Sequence, residues 1–337
     1  MRLLSTVVLV VGIIAWMSFM NFDEQTAVNS MTVQEVLSEL GDQSPNVLLE
    51  SVEGYSAEIG YDIVHNGFST EYGRNSKKQS KHFVCTSCHN VEKEDPDLRF
   101  SNPEERLRYT NEREMPFLQG TTLYGAVDRT TFYNGDYEEQ YGALVNDARY
   151  DIRNAIQLCA VECAKGRALN DWELESIMAY LWTIGLKMSD LHFTDTEYDI
   201  IKNAIDKKED TEMVIKAIKS KYLSGSPADF SYPPEDRKAG YSVNATNPDN
   251  GKLIYENSCL HCHENRRYSY LHLDDSKLSM KWLSKKSDGY SRHSMYQVIR
   301  YGVESYSGKR SYMPKYPDQK MSNQQVEDLK AYFKENS

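Results

Sequence analysis

The chain has 337 residues, 26% of them charged, and its 39 Lys and Arg are outnumbered by 50 Asp and Glu, a net charge of −11. That length accommodates two domains of ordinary size. An acidic chain with no basic stripe interleaved with aromatics is not built to bind nucleic acid; its field suits steering toward basic partners or plain solubility.

The first element is the apolar run in MRLLSTVVLVVGIIAWMSFMNFDEQ. One Arg precedes it and acidic residues follow at once. This charge order predicts an export signal over residues 1–22, and the run is long enough to remain as a membrane anchor. No small-x-small cleavage site follows. In either case the remainder is expected in the periplasm or another extracytoplasmic space, because no later segment is apolar enough to span a membrane.

Beyond it the chain states one plan twice. A first domain, 45–190, opens with GYSAEIGYDIVHNG, about twenty residues before FVCTSCHN, with Cys85, Cys88 and His89. A Tyr-rich insert, 102–150, follows. The domain ends in NDWELESIMAYLWTIG, where Asn170 and Glu173 form a capping box and Ile177, Tyr180, Leu181 and Ile184 a helical stripe. Residues 191–243 read as a linker, first one or two charged helices and then a Pro- and Ser-rich stretch. The second domain, 244–337, opens with NPDNGKLIYENS, a helix that Asp249 or Asn250 would cap, and runs directly into CLHCH, with Cys259, Cys262 and His263. It closes with MSNQQVEDLKAYFKEN, capped by Ser322 and Gln325, with Val326, Leu329, Tyr332 and Phe333 facing inward. No strong strand signal occurs, so the expected fold is mainly α: two helical domains joined by a helical and Pro-rich linker.

CxxCH supplies two thiols for the vinyl groups of one porphyrin and an adjacent His for its iron. A zinc ribbon also uses two CxxC pairs, but within a few tens of residues, whereas these begin 174 apart. A redox dithiol would sit in a βαβ context and has no need of the His. The motifs therefore predict two covalently bound haem c groups, attached through Cys85, Cys88, Cys259 and Cys262, with His89 and His263 as proximal ligands.

The distal ligands are less directly written. SYMPKYPDQKMSNQQVEDLKAYF resembles the distal strap of class I cytochromes c, a resemblance covering about 245–337. It implies Met313 as the second distal ligand. In the first domain Met115 lies too far before the final helix to play that part. The corresponding region holds Cys159 and Cys163, whose alternatives are haem ligation by one of them or a disulfide, a bond that suits i,i+4 positions poorly. His65 and His82 are the rivals. The stretch DIRNAIQLCAVECAKGRALNDWELESIMAYLWTIG also resembles the N-terminal haem domain of dihaem thiosulfate dehydrogenases, over about 55–190. That resemblance implies Cys159, seven residues before Gly166, as the first distal ligand.

Thiolate ligation lowers a haem's potential and thioether ligation raises it. The expected function is electron transfer from a low-potential first haem to a high-potential second haem, with small cytochromes or a terminal oxidase as partners. The alternative is a thiosulfate dehydrogenase-like enzyme acting at the Cys159-ligated haem. It requires basic groups converging on the first haem to hold an anion, for which Arg149, Arg153, Lys165 and Arg167 are available.

Overall fold

The computed structural model describes residues 28–70, 76–304 and 312–337. The N-terminal apolar run, with its reading as signal or anchor, lies outside the described residues. The fold is mainly α, as expected. In chain order the helices are α1 (Val33–Glu39), α2 (Ala57–Asn66), α3 (Pro103–Glu112), α4 (Tyr137–Tyr141), α5 (Leu144–Ala148), α6 (Ile152–Leu158), α7 (Asp171–Thr183), α8 (Asp195–Lys207), α9 (Thr211–Lys219), α10 (Pro248–Ile254), α11 (Leu260–His263), α12 (Lys277–Ser287), α13 (Met295–Tyr301) and α14 (Asn323–Glu335). Among the described residues the β structure amounts to two isolated bridges, Thr32 with Lys187 and Val303 with Met313. No helix among them is long and apolar enough to cross a membrane.

The chain divides into two compact units, one made of the N-terminal region to Pro45 with Gly185–Leu223, the other of Asn46–Ile184 with Ser224–Ser337. In the smaller unit, Thr32 with Glu35 and Thr194 with Glu197 form capping boxes at the starts of α1 and α8. Such caps stabilise a helix by about 1 kcal/mol each. Buried Val33, Val36 and Leu37 of α1, Tyr198 and Ile201 of α8, and Val214 and Ile218 of α9 supply its core. The charged segment read from the sequence as one or two helices is two, α8 and α9.

The larger unit holds both CxxCH motifs. α2 packs on α7, and α10 packs on α14. The two crossings repeat each other in detail. A Cβ on Gly60 of α2 would strike the Ser176 carbonyl and come within 2.8 Å of the Tyr180 Cβ; one on Gly251 of α10 would strike the Asp328 carbonyl and come within 2.8 Å of the Tyr332 Cβ. In both pairs a glycine lets the helices touch backbone to backbone, and the contacted Tyr is that of the AYL or AYF sequence. The predicted capping boxes at Asn170 with Glu173 and Ser322 with Gln325 are present. At α10 the cap is Asn247, whose side chain accepts from the Asp249 N–H, rather than Asp249 or Asn250. Pro248 fits the first helical position, which has no need of an N–H, and so fixes the start two residues earlier.

The Tyr-rich insert does not stand apart from the second motif's helices. Leu107 of α3 and Phe117 belong to the same buried cluster as Ile254, Tyr255, Leu329 and Phe333. The Gln325 amide donates to the Pro103 carbonyl (2.7 Å), and the Phe117 N–H donates to the Asn257 carbonyl (2.9 Å). The Pro- and Ser-rich stretch after Leu223 is tied to both sides: Asp136 N–H donates to the Ala228 carbonyl (2.9 Å), and Asp229 N–H to the Gln319 amide oxygen (2.9 Å).

Candidate functional site

At the first motif, Cys85–Ser87 forms a single tight turn, and His89, two residues after it, is half-buried. His89 Nδ1 lies 2.6 Å from the Thr121 carbonyl. A carbonyl can only accept, so Nδ1 carries the proton and Nε2 keeps its lone pair. A Cβ on Gly120 would sit 2.7 Å from the His89 Cε1 and Nδ1 atoms and 2.5 Å from the Cys88 carbonyl. Only glycine admits the imidazole in this orientation. Burial lowers the His89 pKa, against the raising effect of the Thr121 bond, and keeps the ring neutral.

The second motif follows the same logic. A π-turn, Tyr255–Cys259, leads into α11, and His263 Nδ1 lies 3.1 Å from the Leu271 carbonyl, again leaving Nε2 available. Desolvation likewise lowers the His263 pKa. Burial pushes the Cys85 and Cys262 thiols each up to about 11 and Cys259 up to about 12. All four motif cysteines are free of disulfides. This donor set fits haem c: two protonated thiols and one neutral, pre-oriented imidazole at each motif.

The motifs are close neighbours. Cys88 and Cys262 are near enough for the second to raise the pKa of the first, and burial lowers the pKa of His261, between Cys259 and His263, to about 4. Nothing local in the sequence signals this approach of motifs 174 residues apart.

Cys159 and Cys163 occupy a π-turn at the end of α6. Both are free, so the disulfide alternative is not what the fold adopts. They are close enough to couple their titration, and Cys159 interacts electrostatically with Cys85 and Cys88. Tyr141 and Tyr133 place hydroxyls 3.4 and 3.8 Å from the Cys163 Sγ. The neighbouring Cys159 thiol, opposed by burial and reinforced by the two phenols, brings Cys163 below the ordinary thiol range, and the same coupling drives Cys159 upward. Tyr137 and Tyr312 complete an aromatic surround whose own pKa values burial raises. Tyr312 directly precedes Met313, so the second strap reaches the first motif's thiol pair. The rival histidines are engaged elsewhere: His65 Nε2 lies 3.1 Å from the Tyr180 hydroxyl, and the His82 ring meets Phe83 and Tyr270. Met313 packs against the same buried cluster as Cys259 and is held by paired backbone bonds to Val303 of 2.9 and 3.0 Å.

The four basic residues available for an anion are each paired with a carboxylate. Arg149 meets Glu138 (3.3 Å), Arg153 meets Glu175 (2.7 Å), Lys165 meets Glu162 (3.3 Å) and Arg167 meets Glu173 (2.6 Å).

Behind His89 lies a charge cluster that sequence patterning did not reveal. Glu94, fully buried, takes hydrogen bonds from Asn90 (2.9 Å), the Thr122 N–H (3.0 Å) and Lys320 (2.7 Å), and pairs with buried Arg106 at 3.5 Å. Arg106 also donates to the Lys320 carbonyl (3.2 Å) and lies over the Phe117 ring. Glu94 and Lys320 are 226 residues apart, a distance no periodicity spans.

Residues 246–333 match the family model described as cytochrome C oxidase, cbb3-type, subunit III. This part of the chain is a cytochrome c domain, the kind that carries covalent haem c and transfers electrons. The match ends short of the first motif. No curated protein and no solved structure gives a match.

Proposed function

We propose that the protein is an exported dihaem c-type cytochrome that relays electrons between redox proteins. The observation that carries this reading is the repetition: both CxxCH motifs accompany the same glycine-mediated helix crossing, and both histidines give Nδ1 to a backbone carbonyl. On this reading residues 45–190 and 244–337 each enclose one haem. Cys85 and Cys88, and Cys259 and Cys262, form the thioethers, and His89 and His263 give Nε2 to iron. Haem iron supplies one-electron exchange between the ferrous and ferric states. Cys159, as a distal thiolate, favours ferric iron and a low potential; Met313, as a thioether, favours ferrous iron and a high one. The donor types thus set the direction from the first domain to the second, and onward to a partner such as a small cytochrome or an oxidase. The Tyr133 and Tyr141 hydroxyls stand beside the Cys163 thiol of this pair.

The thiosulfate dehydrogenase-like alternative draws on the thiol pair beside the first motif. It is disfavoured by the neutralised basic residues, which leave little field for an anionic substrate. The haem count is tested by intact mass and a pyridine haemochrome assay, each expected to report two haems per chain; one haem, or bound zinc, overturns the reading. Relay and enzyme are separated by ferricyanide reduction with thiosulfate. Little or no turnover is expected, and saturable turnover lost in Cys159→Ala would make the enzyme reading correct.

A further inference from the structure

Helix α12 presents a face to solvent that the fold does not explain. Between Lys277 and Ser287 it carries four lysines and no carboxylate, in a chain of net charge −11. At helical spacing Lys277, Lys281 and Lys285 align on one edge, and Leu278 and Trp282 form the row beside them. Leu278 is 78% exposed and Trp282 39%. Lys286 lies 5.6 Å over the Trp282 ring, so the aromatic is flanked by ammonium groups. The opposite face is spent on the core: Met280 is buried, and Leu283 packs against the same cluster as Cys259 and Met313.

This arrangement costs stability locally. Like charges at i,i+4 repel by a few tenths of a kcal/mol per pair, and Lys277 at the first helical position opposes the helix dipole. Only Lys285 and Lys286, in the last turn, gain from that dipole. The flanking carboxylates lie beyond the ends of the helix: Asp288 is paired with Lys330 and Lys334, and Asp274, which accepts from the Ser276 and Ser279 hydroxyls, and Asp275 precede the first turn, beside Lys277 rather than Lys281 and Lys285. An exposed Trp and Leu inside a lysine row have the composition of an interface centre with a basic rim.

We propose that this face of α12 docks an acidic redox protein that presents carboxylates around an apolar patch and exchanges electrons with the second domain. The inference rests on the electron-relay reading. A partner seated there is one helix diameter, about 10 Å, from the core shared by Cys259 and Met313. An anionic membrane is the less suited occupant, because a surface-lying helix needs its whole apolar face for lipid, whereas that of α12 faces the core. Locally, the basic face reverses the partner preference suggested by the net charge.

The test uses the haem-loaded full chain and a rubredoxin as the acidic one-electron probe. Carbodiimide coupling at low ionic strength should join rubredoxin carboxylates to Lys277, Lys281 or Lys285. The Lys281→Glu/Lys285→Glu protein should lose these cross-links, and its second-order exchange rate should fall about tenfold at low salt, converging with wild type at high salt. Leu278→Ser/Trp282→Ser should weaken binding at all salt concentrations. Cross-links confined to other lysines, or an unchanged rate in the charge-reversed protein, overturn the proposal. So does binding to phosphatidylglycerol vesicles that charge reversal abolishes while rubredoxin exchange is unaffected. Cycling with dithionite and ferricyanide separates the two levels. A protein that cycles but ignores α12 loses only the docking surface; one that does not cycle loses the relay reading as well.

Discussion

Glu94→Gln removes one charge and almost no volume from a cluster in which Glu94 and Arg106 are fully buried and Lys320 nearly so. The carboxylate is the shared counter-ion of two cations. Its loss leaves both desolvated, and breaking a buried pair in this way costs about 3–5 kcal/mol, against about 1 kcal/mol for an ordinary hydrogen bond. Lys320→Met should cost less, because Glu94 and Arg106 remain as a one-to-one pair. Burial would raise the Glu94 pKa, but Arg106 and Lys320 outweigh it and hold the group at about 2. The folded pKa is thus below the unfolded value, so the stabilisation is complete above about pH 4.5 and is lost as pH falls toward 2. Guanidinium unfolding of the haem-loaded protein from pH 7 to 2.5 provides the assay. Wild type should lose stability steeply below pH 4.5, and Glu94→Gln should begin destabilised and lack that slope. A neutral-pH difference below about 1 kcal/mol, or equal acid slopes, would refute the reasoning.

Other outcomes follow from the same geometry. Met313→Ala should remove one set of Met-ligated signals from the ferric electron paramagnetic resonance spectrum and lower one potential, leaving the other haem unchanged. Cys159→Ala should alter only the first haem; if Cys163→Ala does so instead, the ligand is one helical turn later, and if neither does, a thiolate is not the ligand. Gly60→Ala and Gly251→Ala should each destabilise by about 1–3 kcal/mol through forced separation of α2 from α7 and of α10 from α14, read as a lower midpoint in denaturant. Gly120→Ala should change the His89 environment, seen as a shifted spectrum of one haem with the other unaffected.

What could be read from the sequence was local. CxxCH, the capping boxes at Asn170 and Ser322, and the AYL and AYF stripes each fit within a few residues, and α7 and α14 lie where those signals put them. The cap at Asn247 was missed because Asp249 and Asn250, two and three residues later, carry the same polar signal, and only the position of Pro248 decides among them. Non-local relations carried no such trace. Glu94 and Lys320 look like any surface charges in sequence, and the approach of Tyr133, Tyr141 and Tyr312 to Cys163 depends on how the insert folds back.

On the proposed dihaem reading, these non-local contacts bear on how the two sites would exchange electrons. Burial is shared across the proposed domains 45–190 and 244–337. Leu107 and Phe117 fill the core around Ile254 and Phe333, Lys320 neutralises a carboxylate behind His89, and Tyr312 stands beside the first motif's thiol pair. Independent domains joined by a flexible linker would sample many separations, and exchange between them would depend on rare encounters. Here Cys88 and Cys262 lie near enough to interact electrostatically, and the Phe117 N–H donates to the Asn257 carbonyl (2.9 Å), so the surroundings of the two motifs are packed together. Fixing the two proposed haem sites in this way would remove the orientational search from the internal step. It leaves diffusion, and therefore surface charge, to govern only the step in which a partner arrives.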